Sequence, residues 1–161
     1  MWRPDDKHDV NRGLVSLRET STHRALLEEA VSYADGTGAD LVLLWHLDEE
    51  EYDADVEQLE SIGRVENVDY DHSSVVEGAA ADAKSFAEPL IAETGIDVHI
   101  AVSVDNAETR GERILDTANE QGCDHVFVVG ASRSPTGKAI FGDIAQKVAL
   151  RFDGFTTMVT T

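Results

Sequence analysis

The stretch Gly38-Ala39-Asp40-Leu41-Val42-Leu43-Leu44-Trp45 consists of a glycine, one residue, an aspartate and an apolar run, and the chain uses that arrangement three times. It returns as Gly95-Ile96-Asp97 before Val98-His99-Ile100-Ala101-Val102, and as Gly122-Cys123-Asp124 before His125-Val126-Phe127-Val128-Val129. Each glycine follows a helical pattern, and a glycine at positive φ just past a helix ends it without a Cβ penalty. Each apolar run is short and rich in branched residues, as expected of a strand buried on both faces. The pattern predicts a helix, a glycine stop and a buried strand, repeated.

The helices preceding these stops follow from apolar spacing. Ser21 or Thr22 is placed to cap a helix whose Leu27, Ala30, Val31 and Ala34 share one stripe. A second helix is predicted from about Ser74 to Glu93, with Val76, Ala79, Ala80, Ala83, Ala87, Leu90 and Ile91 inward. A third carries Gly111, Ile114, Leu115 and Ala118; a fourth, from about Asp143 to Arg151, carries Ile144, Ala145, Val148 and Phe152. Gly13-Leu14-Val15-Ser16-Leu17 before the first helix and Phe155 to Thr160 after the last add two strands. Strands alternating with helices give a parallel sheet with right-handed crossovers. Its ligand site belongs at the carboxyl ends of the strands, where the strand order reverses.

A chain of 161 residues forms one domain and is long enough to bury a core. Asp48 to His72 departs from the rhythm as an acidic excursion: eight of its first thirteen residues are acidic and none is basic. Val56, Leu59 and Ile62 predict a short helix within it. It lacks the Asp/Asn alternation, central glycine and closing Glu of a calcium loop.

Acidic residues number 32 against 13 basic, a net charge of −19, and Arg outnumbers Lys nine to four. Such a chain repels itself at ordinary ionic strength. Where the Debye length falls to about 3 Å, at molar salt, the repulsion is screened. The composition therefore points to a surface adapted to a salty cytoplasm, with a basic partner protein as the competing reading. No basic stripe exists to displace counterions from phosphates, which argues against nucleic acid as a partner. No apolar run approaches the ~18 residues of a membrane span. The opening Met1-Trp2-Arg3-Pro4-Asp5-Asp6 is not a secretory signal, and the single Cys123 cannot form an intramolecular disulfide. A cytoplasmic protein is expected.

Gly130 to Asp143 is the chemically richest passage. It leaves a buried strand, stays small and polar, and enters a helix near Gly142. Small residues let backbone N–H groups approach an anion, and the following helix adds its positive end. Ser132, Ser134 and Thr136 offer hydroxyls, while Arg133 and Lys138 offer charge. Thr136-Gly137-Lys138 lacks the hydroxyl residue that a P-loop needs after its Lys, since Ala139 follows. Asp143 is expected to cap or begin the last helix, its carboxylate accepting the N–H bonds a phosphate would otherwise take.

Elsewhere the chemistry is sparse. The six histidines never fall at i, i+3 or i+4 within one element, so no metal site is predicted. His46, at the carboxyl end of the second strand, is placed to line the crevice, the alternative being a packed or solvent-facing histidine. His125 and Cys123 belong to the opposite end of the sheet, where a catalytic thiol is not expected. No nucleophile–base pair is evident, and no G-x-S-x-G elbow is present.

Taken together, the order of elements, the loop after the fourth strand and the closing strand resemble the universal stress protein family over nearly the whole chain. The likeness is carried by Ser21-Thr22-His23-Arg24-Ala25-Leu26-Leu27-Glu28-Glu29-Ala30, by Ala39-Asp40-Leu41-Val42-Leu43-Leu44, and by Val129-Gly130 through Gly142-Asp143-Ile144-Ala145-Gln146-Lys147-Val148. The resemblance implies a single domain over 1–161, a three-layer α/β sandwich around a five-stranded parallel sheet of order 3-2-1-4-5. That is the Rossmann-like fold of the adenine-nucleotide alpha-hydrolase type. It implies a homodimer paired through the last strand, here Phe155 to Thr160, and an unidentified protein partner. One branch of the family binds ATP through G-x2-G-x9-G-[ST]. Gly130 and Gly142 match its outer glycines. Arg133 stands at the second, the interval to Gly142 is one residue short, and Asp143 replaces the closing hydroxyl. Leu17-Arg18-Glu19 occupies the stretch where that branch places an aspartate.

The implied function is a stress-response protein that binds ATP or AMP between the first and fourth strands. Gly130, Ser132, Arg133, Ser134, Gly137, Lys138, Gly142 and Asp143 would form the site, with Leu17 and His46 beside it. A magnesium ion bridging Asp143 to the phosphates would offset their repulsion. Dedicated catalysis is not expected, beyond weak or incidental ATP hydrolysis. The alternative is a member that binds no nucleotide and acts as a dimeric protein-interaction module. A third reading is an enzyme of related architecture that cleaves an α–β phosphate bond.

Overall fold

Ten elements follow one another in the structure, a computed structural model that describes residues 11–66, 72–130 and 142–160. They are β1 (Arg12–Leu17), α1 (Ser21–Thr37), β2 (Asp40–Asp48), α2 (Glu49–Glu66), α3 (His72–Ile91), β3 (Val98–Asp105), α4 (Arg110–Glu120), β4 (His125–Val129), α5 (Asp143–Arg151) and β5 (Phe155–Val159). All neighbouring strands pair in parallel, in the order β3-β2-β1-β4-β5.

The two faces of the sheet are written in the period-2 alternation of the strands. Val15, Leu17, Leu41, Leu43, Trp45 and Phe127 pack with α1 and α3 through Leu26, Leu27, Ala30, Ala83, Phe86 and Ala87. Leu14, Val42, Leu44, Val126 and Val128 pack with α4 and α5 through Ile114, Leu115, Ala118, Ala145 and Val148. The helices thus cover both faces, and the chain changes direction across the sheet between β1 and β4. At about 25 cal/mol per Å² of apolar surface, full burial of a Val, Leu, Ile or Phe among them contributes about 1.5–3 kcal/mol.

Two of the three glycine stops follow the sequence expectation. Gly38 takes φ 74° and its N–H donates to the Ala34 carbonyl, while Gly122 takes φ 68° just beyond α4. Gly95 does not adopt positive φ. There α3 has already ended at Ile91, and Thr94 closes the turn, its N–H and hydroxyl both donating to the Ile91 carbonyl at 3.0 and 2.7 Å.

Three further expectations are corrected. The N-cap of α1 is Thr20, not Ser21 or Thr22; its Oγ1 accepts the His23 N–H at 3.1 Å. The third strand is not buried on both faces: β3 has only β2 as neighbour, and His99 and Ile100 are exposed. It also runs on to Asp105, beyond the apolar stretch that marks it in the sequence. The acidic excursion is largely regular, since α2 is an 18-residue helix. Glu49, Glu50 and Glu51 lie in its first turn, where carboxylates favour the helix dipole. Val56 and Leu59 are half-buried while its acidic residues from Glu49 to Glu60 face solvent; the side chain of Ile62 lies outside the described residues.

Candidate functional site

On the face covered by α4 and α5, the central strands change character as they reach their carboxyl ends. By alternation Leu14 is followed by Ser16, Leu44 by His46, and Ala101 by Ser103 and Asp105. These polar side chains are buried, as is Arg110 at the start of α4. Burial without partners would cost several kcal/mol per group, and the partners are present. Ser16 Oγ lies 2.8 Å from His46 Nε2, and His46 Nδ1 lies 2.6 Å from Asp105 Oδ2. The same carboxylate oxygen accepts the Ser103 hydroxyl at 2.7 Å, and Asp105 Oδ1 accepts Arg110 Nε–H at 2.8 Å.

The electrostatics fix the direction of these bonds. Burial alone would raise the Asp105 carboxyl, but hydrogen bonds from His46, Ser103 and Arg110 outweigh it and hold it below its ordinary range. An ionised Asp105 only accepts, so His46 Nδ1 donates to it. Burial pulls His46 below its ordinary pKa, against the pull of Asp105, and keeps the ring neutral. Nε2 is then an acceptor and the Ser16 hydroxyl donates to it. Among the described residues, the buried side-chain polar atom left without a partner is Arg110 Nη2.

Two arginines, Arg18 and Arg110, act on the histidines at this end of the sheet. His23, at the start of α1, is lowered to about 4, first by burial and then by His46, Arg18 and Arg110. Of the charged groups acting on His46, only Asp105 is acidic.

The sequence-predicted residues fall into three groups. His46 joins the network just described. Leu17 is fully buried in the α1/α3 core, so its side chain faces away from the network. Ser132, Arg133, Ser134, Gly137 and Lys138 lie outside the described residues. At the flanks of that loop, Gly130 donates its N–H to the Val159 carbonyl at 2.8 Å, and a Cβ there would come 2.6 Å from Met158 Sδ. Its glycine identity is thus accounted for by close packing against β5. Gly142, not Asp143, is the N-cap of α5, at φ 77° and ψ 154°, with no side-chain cap bond. Asp143 is the first helical residue and is exposed. With Ala107, Glu108, Gly111, Ile144 and Lys147 it lines a cavity of about 300 Å³ between α4 and α5.

Sequence reasoning missed Ser16, Ser103, Asp105 and Arg110. The available signal was the polar ending of three otherwise apolar strands on one face. At the other end of the sheet, His125 stacks on Phe127 at 4.3 Å and reaches Thr157 at 2.7 Å. Burial there raises the Cys123 thiol to about 12, far from a reactive thiolate. Among the described residues no group of three His, Cys, Asp or Glu side chains is placed to hold a metal, and no helix is long and apolar enough to cross a membrane.

Residues 14–159 match the model of the universal stress protein family. No curated protein matches the sequence at a significant level. Among solved structures, the chain is similar to a hypothetical protein whose biochemical function was assigned from its structure. The TM-score is 0.62 at 18% identity, covering 94% of this chain and 96% of that one. It is also similar to a universal stress protein in complex with cAMP, at TM-score 0.59 and 13% identity, covering 94% and 97%. A third likeness is to the universal stress protein from Archaeoglobus fulgidus in complex with dAMP, at TM-score 0.56 and 12% identity, covering 92% and 96%. Likenesses at these identities establish the fold.

Proposed function

The chain belongs to the universal stress protein family, and from that premise we propose that it binds an adenine nucleotide, ATP or AMP, at the carboxyl ends of β1 and β4. The observation that carries this reading is the buried, unpartnered Arg110 Nη2 within a cluster of Arg18, His23 and His46. A buried guanidinium donor without an acceptor is costly unless a ligand supplies one. Phosphate oxygens are the acceptors that a guanidinium fork fits best. The first turn of α5 adds backbone N–H groups that no side chain caps. The loop residues Ser132, Arg133, Ser134, Gly137 and Lys138, between Gly130 and Gly142, would complete the phosphate contacts. Exposed Asp143 would take part through magnesium. Complexes of two similar structures with cAMP and dAMP support an adenine nucleotide as the ligand class.

On this reading the protein acts in the stress response by binding rather than turnover, in the cytoplasm and as a homodimer. Among the described residues the outer edge of β5 has no strand partner, and Phe155 on that strand is 49% exposed, which suits pairing through it. The test is thermal unfolding in molar potassium chloride with ATP and magnesium, or with AMP. Ligand at a hundred times its dissociation constant should add about 2.7 kcal/mol, and Arg110→Met should abolish the shift. No shift at millimolar nucleotide, and none retained in native mass spectra, would overturn it. The chain would then be read as a dimeric protein-interaction module.

A further inference from the structure

We propose that the groove between α2 and α3 docks a basic amphipathic helix of a partner protein. The apolar residues Tyr52, Val56 and Leu59 of α2 recur at i, i+4 and i+7, the spacing of a helix face made for burial. Each is only half-buried, and among the described residues of α2 no side chain is fully buried. A cavity of about 340 Å³ lies between α2 and α3, with Leu47 at the end of β2 and Val75 and Ala79 of α3 as its apolar floor. Leu47 packs with the α1/α3 core, so the groove lies on the opposite face of the sheet from the His46–Asp105 network.

Gly78 supplies an observation of a different kind. It stands in the interior of α3, exposed and without positive φ, and a Cβ added there would meet nothing within 4 Å. Neither the backbone nor the packing of this chain calls for glycine at that position, and a glycine inside a helix weakens it. What the missing Cβ permits is the close approach of another backbone. Ser74, Gly78 and Asp82 line the groove at four-residue spacing along α3, a span of about 12 Å at 1.5 Å per residue. That is about two helical turns, enough to seat apolar anchors at i, i+3 or i+4, and i+7 of a helix lying alongside.

The walls select the sign of the partner. Asp55 on α2 and Asp82 on α3 are exposed on the two sides of the groove, and among the described residues neither is in an ion pair. From Asp48 to Glu60, 8 of 13 residues are acidic and none is basic, against 32 acidic residues in 161 for the whole chain. Lys84 stands two positions from Asp82 and therefore on another side of α3. A surface adapted to salt accounts for the carboxylates, but not for the apolar floor or the bare glycine. A second copy of this chain, at net charge −19, brings like charge to the groove, and a nucleotide phosphate does the same. Of the acidic residues of α2 only Asp55 lines the cavity, so a small organic cation seated there leaves the rest of the band unused. A helix with Lys and Arg beside an apolar stripe uses both. At molar salt, where the Debye length is about 3 Å, its apolar contacts hold it and its charges act only in direct pairs.

The experiment titrates the full chain into a labelled synthetic peptide of Leu and Lys with leucines at i, i+3, i+4 and i+7, and into a scrambled peptide of the same composition. Fluorescence anisotropy reads binding and amide hydrogen exchange maps it, in molar potassium chloride and at the lowest salt at which the chain stays folded. The patterned peptide should bind and protect α2 and the first half of α3, and the scrambled one should not. Gly78→Leu fills the groove and should abolish binding while melting no lower than the wild type. Removing Asp55 and Asp82 charge, by Asn at each, should weaken binding by up to about fivefold per carboxylate at low salt and by less at molar salt. Should Gly78→Leu fail to fold, Asp55→Lys with Asp82→Lys, both at exposed positions, takes its place and should abolish binding. No binding of the patterned peptide at millimolar concentration, equal binding of the scrambled one, protection elsewhere on the chain, or wild-type affinity in folded Gly78→Leu would overturn the proposal. Self-association of the wild type that Gly78→Leu removes would also overturn it, assigning the groove to a second copy. AMP and Arg110→Met should leave peptide binding unchanged, so this proposal and the nucleotide reading stand or fall separately.

Discussion

Replacing Asp105 by Asn tests whether charge, rather than hydrogen bonding, organises the carboxyl end of the sheet. The carboxylate accepts from His46 Nδ1, Ser103 Oγ and Arg110 Nε at 2.6, 2.7 and 2.8 Å. An Asn side chain can keep its oxygen toward Arg110 and turn its amide toward His46. His46 then carries its proton on Nε2, the Ser16 hydroxyl becomes the acceptor, and Ser103 rotates to accept as well. The contacts survive with their polarity reversed, but the negative charge is gone. Arg110, with 9% of its side chain exposed, is left as a buried cation without a counter-ion. Removing one partner of a buried pair costs about 3–5 kcal/mol, and Arg110→Met should cost a similar amount by stranding the carboxylate. The double variant carries neither charge, so it should be more stable than the sum of the two losses predicts, with a coupling of about 1–3 kcal/mol. Urea unfolding in molar potassium chloride at neutral pH gives all four stabilities, since screening there removes the background repulsion. Losses that add within about 0.5 kcal/mol would refute the pair as the organising element. So would a cost for Asp105→Asn below about 1 kcal/mol, well under the range for a stranded buried charge.

Two further predictions concern single residues. His23 is neutral in the fold because its pKa is lowered from 6.5 to about 4, so its contribution is complete above pH 6.5 and is lost as pH falls toward 4. Over that window the wild type should lose stability relative to His23→Gln, at well under the ~1.4 kcal/mol per pH unit of a fully buried group because solvent screens His23; parallel pH profiles of the two proteins in molar salt would contradict it. Gly154→Ala should destabilise more than Gly130→Ala, in urea melts of both. The first Cβ meets the Asp124 backbone oxygen at 2.6 Å at φ 151°, for about 1–3 kcal/mol of strain besides the clash. The second meets the movable Met158 thioether, so Met158→Ala should relieve Gly130→Ala but not Gly154→Ala.

The fold was legible where local chemistry and tertiary position agree. Apolar stripes located α1, α3, α4 and α5, and Gly38 and Gly122 sit where the pattern placed them. Gly95 misled because a threonine hydroxyl can close a helix as well as a glycine can. β3 looked like an interior strand because Val98 to Val102 is apolar in sequence, yet edge position is a property of strand order and is invisible locally. The network was hidden for a related reason. Its bonds join residues 30 and 59 positions apart, and only the parallel registers of β1, β2 and β3 bring their ends together. Ser16 and Asp105 each read as an ordinary polar residue until the faces of the strands are aligned.

One joint in the fold links two places that the sequence keeps apart. The residue that opens the loop we propose to hold phosphate, Gly130, is pinned to β5 twice, by its N–H on the Val159 carbonyl and by its close packing against Met158. The strand on the far side of that joint is the edge through which we propose two copies pair. On the proposed reading, a nucleotide held by that loop acts on the edge strand through this joint, and a second copy seated on the edge acts back on the loop. Thermodynamic reciprocity makes the two effects equal: whatever factor nucleotide contributes to dimer affinity, dimerisation contributes to nucleotide affinity.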